Sequence, residues 1–251
     1  MLEPAPEFLE PPAVQPPVVL PIERAAAALE VLLCSGFPTQ LVIITVLATF
    51  GMQPRLADGR FNAPFVFALT LLDTLLLVGL VCFFFRAHRE SIRERLFGTR
   101  RLGREMLLGV ALIPASFAVV ILVLLLVQAV APSLRNVPHN PLAELARTRT
   151  DALIFAFVVM IAGGVREEIQ RGFILRRFEQ FLGGGVAGLI VFSCLFGLGH
   201  LEQGRDVAIA TAVLGAFWGA IFLRRRSIAG PMVGHAGFNL LQVVKFLTLG
   251  A

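Results

Sequence analysis

The chain has 251 residues, of which 57% are hydrophobic and only 16% are charged. With a mean hydropathy of +0.80, it is not an ordinary soluble domain, in which about a quarter of the residues are charged. The net charge of +5 does not indicate nucleic acid as a partner, because the arginines cluster between apolar segments as the positive-inside rule requires.

Residues 1–22 contain seven prolines. Such a segment is too rich in proline for a helix or a strand, so we expect a disordered or surface-bound tail. The remaining residues, 23–251, are predicted to form a single transmembrane helical domain. The chain therefore divides into a short tail and one membrane domain.

Apolar segments then follow one another, each near the ~20 residues that a bilayer requires. They run over 25–50, 64–85, 106–130, 151–169 or beyond, 186–201, 207–223 and 229–249. The predicted fold is an all-α bundle of about seven membrane spans, with six to eight compatible with the boundaries. The basic loop at 86–104 predicts a cytoplasmic N-terminus in a multi-pass protein of the inner or plasma membrane.

Titratable side chains lie inside three of these apolar segments. The adjacent carboxylates Glu167 and Glu168 are in one segment, and His200 and His235 are in two others. Because such groups are costly in a bilayer, their presence there indicates a functional site. This makes an intramembrane active site the leading interpretation.

The spacing places these groups at one depth. If residues 182–186 form a turn between antiparallel helices, Glu167 and His200 each lie about 23 Å from it. Arg176 and Arg177 are expected to mark the headgroup region, and His235, nine residues after Arg226, reaches a similar depth. Three helices are therefore predicted to deliver Glu167, His200 and His235 to one layer.

Two further polar residues share a helix face with members of this layer. Arg171 lies four residues after Glu167, and Asn239 lies four residues after His235. Residues four apart on a helix are neighbours, so the arginine can pair with and orient a carboxylate. The Asn239 amide is a neutral hydrogen-bond donor of the kind that oxyanion holes use.

These residues belong to three ordered motifs, which are EEIQRG at 167–172, FGLGH at 196–200 and HAGFN at 235–239. The motifs resemble those of the CAAX protease and bacteriocin-processing (CPBP, or Abi) family of intramembrane proteases. The resemblance covers a protease-like core at about 150–245.

The glutamate motif departs from the family pattern. The family usually has three residues between the glutamate pair and the arginine, and here only Ile169 and Gln170 intervene. Alignment from the arginine side would instead place Arg166 on the first glutamate position. We assign Glu167 to the first position because its depth matches that of His200, and Glu168 stays a second candidate.

The resemblance implies an intramembrane endopeptidase acting on a membrane-associated or CAAX-like substrate. In the family's proposed mechanism, Glu167 would activate a water with help from His200, while His235 and Asn239 would stabilise the oxyanion. Glu168 would be secondary and Arg171 would orient the glutamates. The expected partners are membrane lipids and a peptide or protein substrate, and no cofactor is favoured.

Three alternatives use the same residues. Glu167, His200 and His235 with an open fourth position could bind catalytic zinc, although the chain has no H-E-x-x-H helix. A non-catalytic peptide-binding or bacteriocin-immunity protein is a second alternative. A proton-coupled transporter is a third, with Glu30 and Asp73 joining the pathway, but the chain has no repeated halves.

Overall fold

The computed structural model describes residues 19–138, 140–146 and 148–249. The predicted tail lies outside the described residues up to position 18, and its last two residues already belong to a helix. That helix tolerates Pro21 because the first position of a helix needs no N–H donor. The α-helices are α1 (Pro21–Leu33), α2 (Phe37–Thr49), α3 (Ala63–Ala87), α4 (Leu102–Val130), α5 (Arg149–Val159), α6 (Glu168–Phe181), α7 (Gly185–Leu198), α8 (Arg205–Arg225) and α9 (Ala229–Leu249).

The structure confirms the predicted helical membrane bundle. Every apolar segment predicted from the sequence contains helix, but only α3, α4 and α8 of the described helices are by themselves long and apolar enough to span a membrane. The pair α1 and α2 qualifies as a fourth span that is bent by 42°. Helix α7 has only 14 residues, about 21 Å, and it ends just before the site residue His200.

The bend between α1 and α2 lies at Gly36, whose φ of +92° suits only glycine. A Cβ atom there would lie 2.5 Å from the Arg166 guanidinium. Glycine therefore serves both the turn and the close approach of an arginine from another helix. This bend forms part of the wall of the cavity that Glu167 faces.

A π-helical segment, Met160–Glu167, joins α5 to α6 in one continuous helical run. The run begins at Arg149 and is capped by Thr148, whose hydroxyl accepts a hydrogen bond from the Asp151 N–H at 3.0 Å. Single π turns inside α-helices often occur at functional sites. Here the π segment ends at Glu167, and the two adjacent glutamates have different surroundings.

The π segment packs closely on α9, which also packs along α4. At Gly164, a Cβ atom would lie 2.6 Å from that of Ala236, so the two helix backbones approach at small residues. Small residues are the usual means of close helix packing in membranes. This contact sets the distance between the glutamates and His235 on α9.

At the far end of α6, Arg177 is buried between two carboxylates, and its predicted place at the depth of the headgroups stays a prediction. Its guanidinium contacts Glu30 of α1 and Glu90, each at 2.6 Å. Burial alone would raise the pKa of Glu90, but hydrogen bonds from Gln180 and Arg177 bring that pKa below its usual range. The charged network thereby ties α1 to α6 and fixes one wall of the cavity.

Candidate active site

Glu167 stands at the wall of a cavity of about 170 Å³ between the α1–α2 bend, α6 and α7. Its side chain is 18% exposed, and its nearest basic side chains are Arg166 at 3.9 Å and His235 at 3.7 Å. Both distances exceed hydrogen-bond length. The carboxylate oxygens are thus available to a water or a substrate in the cavity.

Glu168 has the opposite environment. Its side chain is fully buried and contacts Arg171, while its Oε1 lies 2.9 Å from His235 Nδ1. The Arg171 guanidinium lies over the rings of Phe192 and Phe196, at 5.1 Å from each centroid. Glu168 is therefore occupied in a buried charge cluster and does not line the cavity.

His235 connects the two glutamates. An ionised carboxylate can only accept hydrogen bonds, so Nδ1 carries the proton that is donated to Glu168. This tautomer leaves Nε2 facing Glu167 Oε2 at 3.7 Å. The ring is also stacked on Trp218 of α8, with centroids 3.9 Å apart, so its orientation is fixed from both sides.

His200 follows the last turn of α7 and lines the cavity that Glu167 faces. Its Nδ1 donates to the Phe196 carbonyl at 2.8 Å, since a carbonyl oxygen can only accept. The second ring nitrogen, Nε2, is left to interact with a molecule in the cavity. Phe196 packs against this ring, with centroids 4.9 Å apart.

Asn239 lies behind the π segment. Its Nδ2 donates to the Val159 carbonyl at 3.2 Å, and it is not among the residues that line the two cavities next to Glu167. The role predicted for its amide, stabilisation of an oxyanion, stays a prediction. In this arrangement its observed contact joins α9 to the end of α5.

Gly163 provides the space in which the site residues of α9 meet the π segment. A Cβ atom there would lie 2.2 Å from Asn239 Nδ2 and 3.0 Å from His235 Nε2.

We expect Gly163→Ala to displace His235 and to destabilise the protein by about 1–3 kcal/mol through overpacking. Thermal unfolding and cleavage rate measure the two effects, and Gly79→Ala, with no atom within 4 Å of the added Cβ, is the control. Equal behaviour of both variants would contradict the packing role.

Arg171 contacts Glu168 and not Glu167, which is one of the two pairings that the sequence left open. Positions three and four apart are both neighbours on a helix, so spacing alone permits either pair. The aromatic rings of α7 and α8 draw the guanidinium to the Glu168 side. The shortened motif thus keeps a pair between its second glutamate and its arginine.

Arg166 and Asp73, for which the sequence predicted no role in a protease site, form an ion pair of 2.5 Å beside Glu167. Asp73 of α3 also accepts a hydrogen bond from Thr39 of α2. The available signal was that both are charged residues within apolar segments, which is costly in a membrane. Trp218, the one tryptophan, likewise gave no sequence signal of its contact with His235.

The metal alternative requires donors that converge on one point. Among the residues that the structure describes, no group of three or more His, Cys, Asp or Glu side chains is placed to hold a metal ion. Glu167, His200 and His235 are therefore not arranged as a ligand set. His235 already uses Nδ1 for Glu168, which leaves a single nitrogen for any other partner.

Comparison with known protein families finds a similarity. Residues 149–241 match the family described as Type II CAAX prenyl endopeptidase Rce1-like. The matched region begins at α5 and ends within α9, and it contains Glu167, Glu168, Arg171, His200, His235 and Asn239. Neither curated proteins nor solved structures gave a match.

Proposed function

We propose, on the premise that residues 149–241 are a domain of the CPBP family of proteases, that this chain is an intramembrane endopeptidase with a glutamate-activated water. The observation that supports the proposal is the difference in environment between the two adjacent carboxylates. Glu167 faces a cavity without a hydrogen-bond partner among the described residues, and Glu168 is buried against Arg171 and His235. Of the two, Glu167 has both the access and the free oxygens that a general base needs.

The reaction begins with a water bound to Glu167 and a scissile carbonyl held in the cavity. Glu167 removes a proton as the water oxygen forms a bond to the carbonyl carbon, and the carbonyl oxygen becomes an oxyanion. The carbon–nitrogen bond then breaks, and the proton passes to the leaving amine. Water is consumed, and a new carboxyl terminus and a new amine are released.

His235 is placed to accept a hydrogen bond from Glu167 after Glu167 has taken the proton from the water. Glu168 fixes the tautomer of His235 through Nδ1, as a buried carboxylate does for the histidine of a hydrolytic triad. The unprotonated Nε2 then faces Glu167, where it accepts a hydrogen bond from the newly formed carboxylic acid. Glu168 and Arg171 act through His235 and are positioning residues.

We assign to His200 the interaction with the oxyanion of the substrate, while Glu167 acts on the water. It lines the same cavity as Glu167, and its Nε2 is not used by the hydrogen bond to Phe196. A hydrogen bond from this nitrogen to the oxyanion would contribute about 3 kcal/mol to lowering the barrier. The lining also includes Ile174, Val191 and Leu195, which favours substrates with apolar side chains next to the scissile bond.

The test is cleavage of a membrane-tethered peptide by the purified full chain in lipid vesicles, with products identified by mass spectrometry. We expect cleavage that survives dialysis against a chelator, because each step uses the protein's own residues. Loss of activity with recovery on added zinc would establish the zinc alternative. Binding of the peptide without cleavage would establish the non-catalytic alternative.

A further inference from the structure

A second cavity of about 150 Å³ reaches Glu167 from another side, between α2, α3 and the π segment. Glu167, Arg166 and Gln40 line both cavities. The catalytic carboxylate therefore stands at the junction of two spaces. We propose that the second cavity supplies the water for hydrolysis while the first holds the substrate. This inference rests on the proposed function and adds the route of the second reactant.

The linings of the two cavities differ in polarity. Five of the seven residues that line the second cavity are polar or charged, and they are Gln40, Thr70, Asp73, Arg166 and Glu167. The first cavity is lined by many aliphatic and aromatic side chains of α6 and α7. Water is stable in a buried space only where several polar groups bond to it, so the second cavity suits water better.

The charges around the second cavity also favour water over an anionic ligand. Asp73 and Glu167 are acidic and Arg166 is basic, and both Arg166 and Asp73 have side chains at most 11% exposed. A carboxylate ligand would add to an existing excess of negative charge, which is unfavourable at low dielectric. Arg166 Nε is buried without a hydrogen-bond partner among the described residues, and a water would satisfy this donor.

The second cavity also lies near one surface of the protein. Gln40 is nine residues before the end of α2, and Thr70 is seven residues after the start of α3, which places them about 10–14 Å from the loop that joins these helices. That loop is tied to the loop after His200 by an ion pair of 2.9 Å between Arg55 and Glu202. In the proposed route, water enters the second cavity from the side of this loop while the substrate occupies the first cavity.

Thr70 permits a test that leaves the catalytic residues in place. Its hydroxyl donates to the Val66 carbonyl of its own helix at 2.7 Å. Thr70→Leu therefore fills the cavity and removes only a hydrogen bond within α3. Thr45 on α2 makes the same kind of bond, to Leu41 at 2.8 Å, at an exposed position. Thr45→Leu is therefore a matched control for the same change in volume and polarity.

The first measurement does not depend on activity. In the full chain with Cys34, Cys82 and Cys194 replaced by Ala, Thr70→Cys and Thr74→Cys are exposed to a charged, water-soluble methanethiosulfonate reagent in vesicles. Thr74 lies one turn further along α3 and lines neither cavity. A charged reagent is excluded from an apolar interior by more than about 2 kcal/mol, so we expect modification at position 70 to be more than about tenfold faster. Equal or slower modification at position 70 would overturn the proposal.

The second measurement is kinetic. We expect Thr70→Leu to lower kcat by about tenfold with little change in KM, because water supply affects the chemical step and not peptide binding. Thr45→Leu should keep both constants. An unchanged kcat in Thr70→Leu would overturn the proposed route. Cleavage by a Glu167→Gln variant would instead refute the proposed function. The labelling result does not depend on activity, so it would still show whether water reaches the second cavity.

Discussion

Glu167→Gln is expected to lower kcat for peptide cleavage by about 10²–10⁴, the range typical for loss of a general base. Glutamine keeps the size of the side chain but accepts no proton. Because the Glu167 carboxylate makes no hydrogen bond to a described residue, its replacement should leave the thermal stability almost unchanged. The measurement is steady-state cleavage of a membrane-tethered peptide in vesicles, with unfolding followed in parallel.

Glu202→Gln is the control for this prediction. Glu202 follows His200 by two residues, but its side chain is 70% exposed and pairs with Arg55 on the surface. The same chemical change there should alter neither rate nor stability by a measurable amount. If Glu167→Gln cleaved at the wild-type rate, Glu167 would not be the base.

Arg171→Met is expected to have the largest effect on stability, about 3–5 kcal/mol, because it leaves the Glu168 charge buried without its partner. Both side chains of this pair are at most 1% exposed. The loss of the guanidinium from the rings of Phe192 and Phe196 adds to the effect. The free energy of unfolding in mild detergent measures the change.

Two comparisons separate this effect from a general loss of charge. Arg226→Met removes an arginine that is 49% exposed and pairs with Glu179, and such pairs contribute about 0–1 kcal/mol. The double variant Glu168→Gln/Arg171→Met removes both charges and should be more stable than Arg171→Met alone. A double variant less stable than Arg171→Met would contradict the importance of the unpaired charge.

The helical bundle could be predicted from the sequence because hydropathy directly reflects the requirement that a chain in lipid satisfies its own backbone. The π segment could not, since nothing in the apolar run that contains Met160–Glu167 distinguishes it from an ordinary helix. The short apolar run at 186–201 already indicates a short α7, but its exact end was not predictable, because the run continues to Leu201 while the helix ends at Leu198. Helix ends depend on contacts with other segments, which hydropathy does not report.

The sequence was sufficient to predict which residues lie together in the site. It was less informative about which of them contact one another directly. Depth arguments predict that Glu167, His200 and His235 lie together, and in the structure His235 is 3.7 Å from Glu167 while His200 lines the same cavity. The sequence favours His200 as the closer partner of Glu167, but His235 adjoins both glutamates. This choice depends on the contact of the π segment with α9, a long-range feature that a helical repeat cannot reveal.

The dependence of proteolysis on Glu167 is best measured in cells, by comparing the termini of membrane proteins between the wild-type chain and Glu167→Gln. Mass spectrometry of new amino and carboxyl termini detects cleavage even when the substrate has not been identified. We expect a set of termini that are present with the wild type and with Glu202→Gln and absent with Glu167→Gln. Identical termini in all three would contradict an endopeptidase that depends on Glu167.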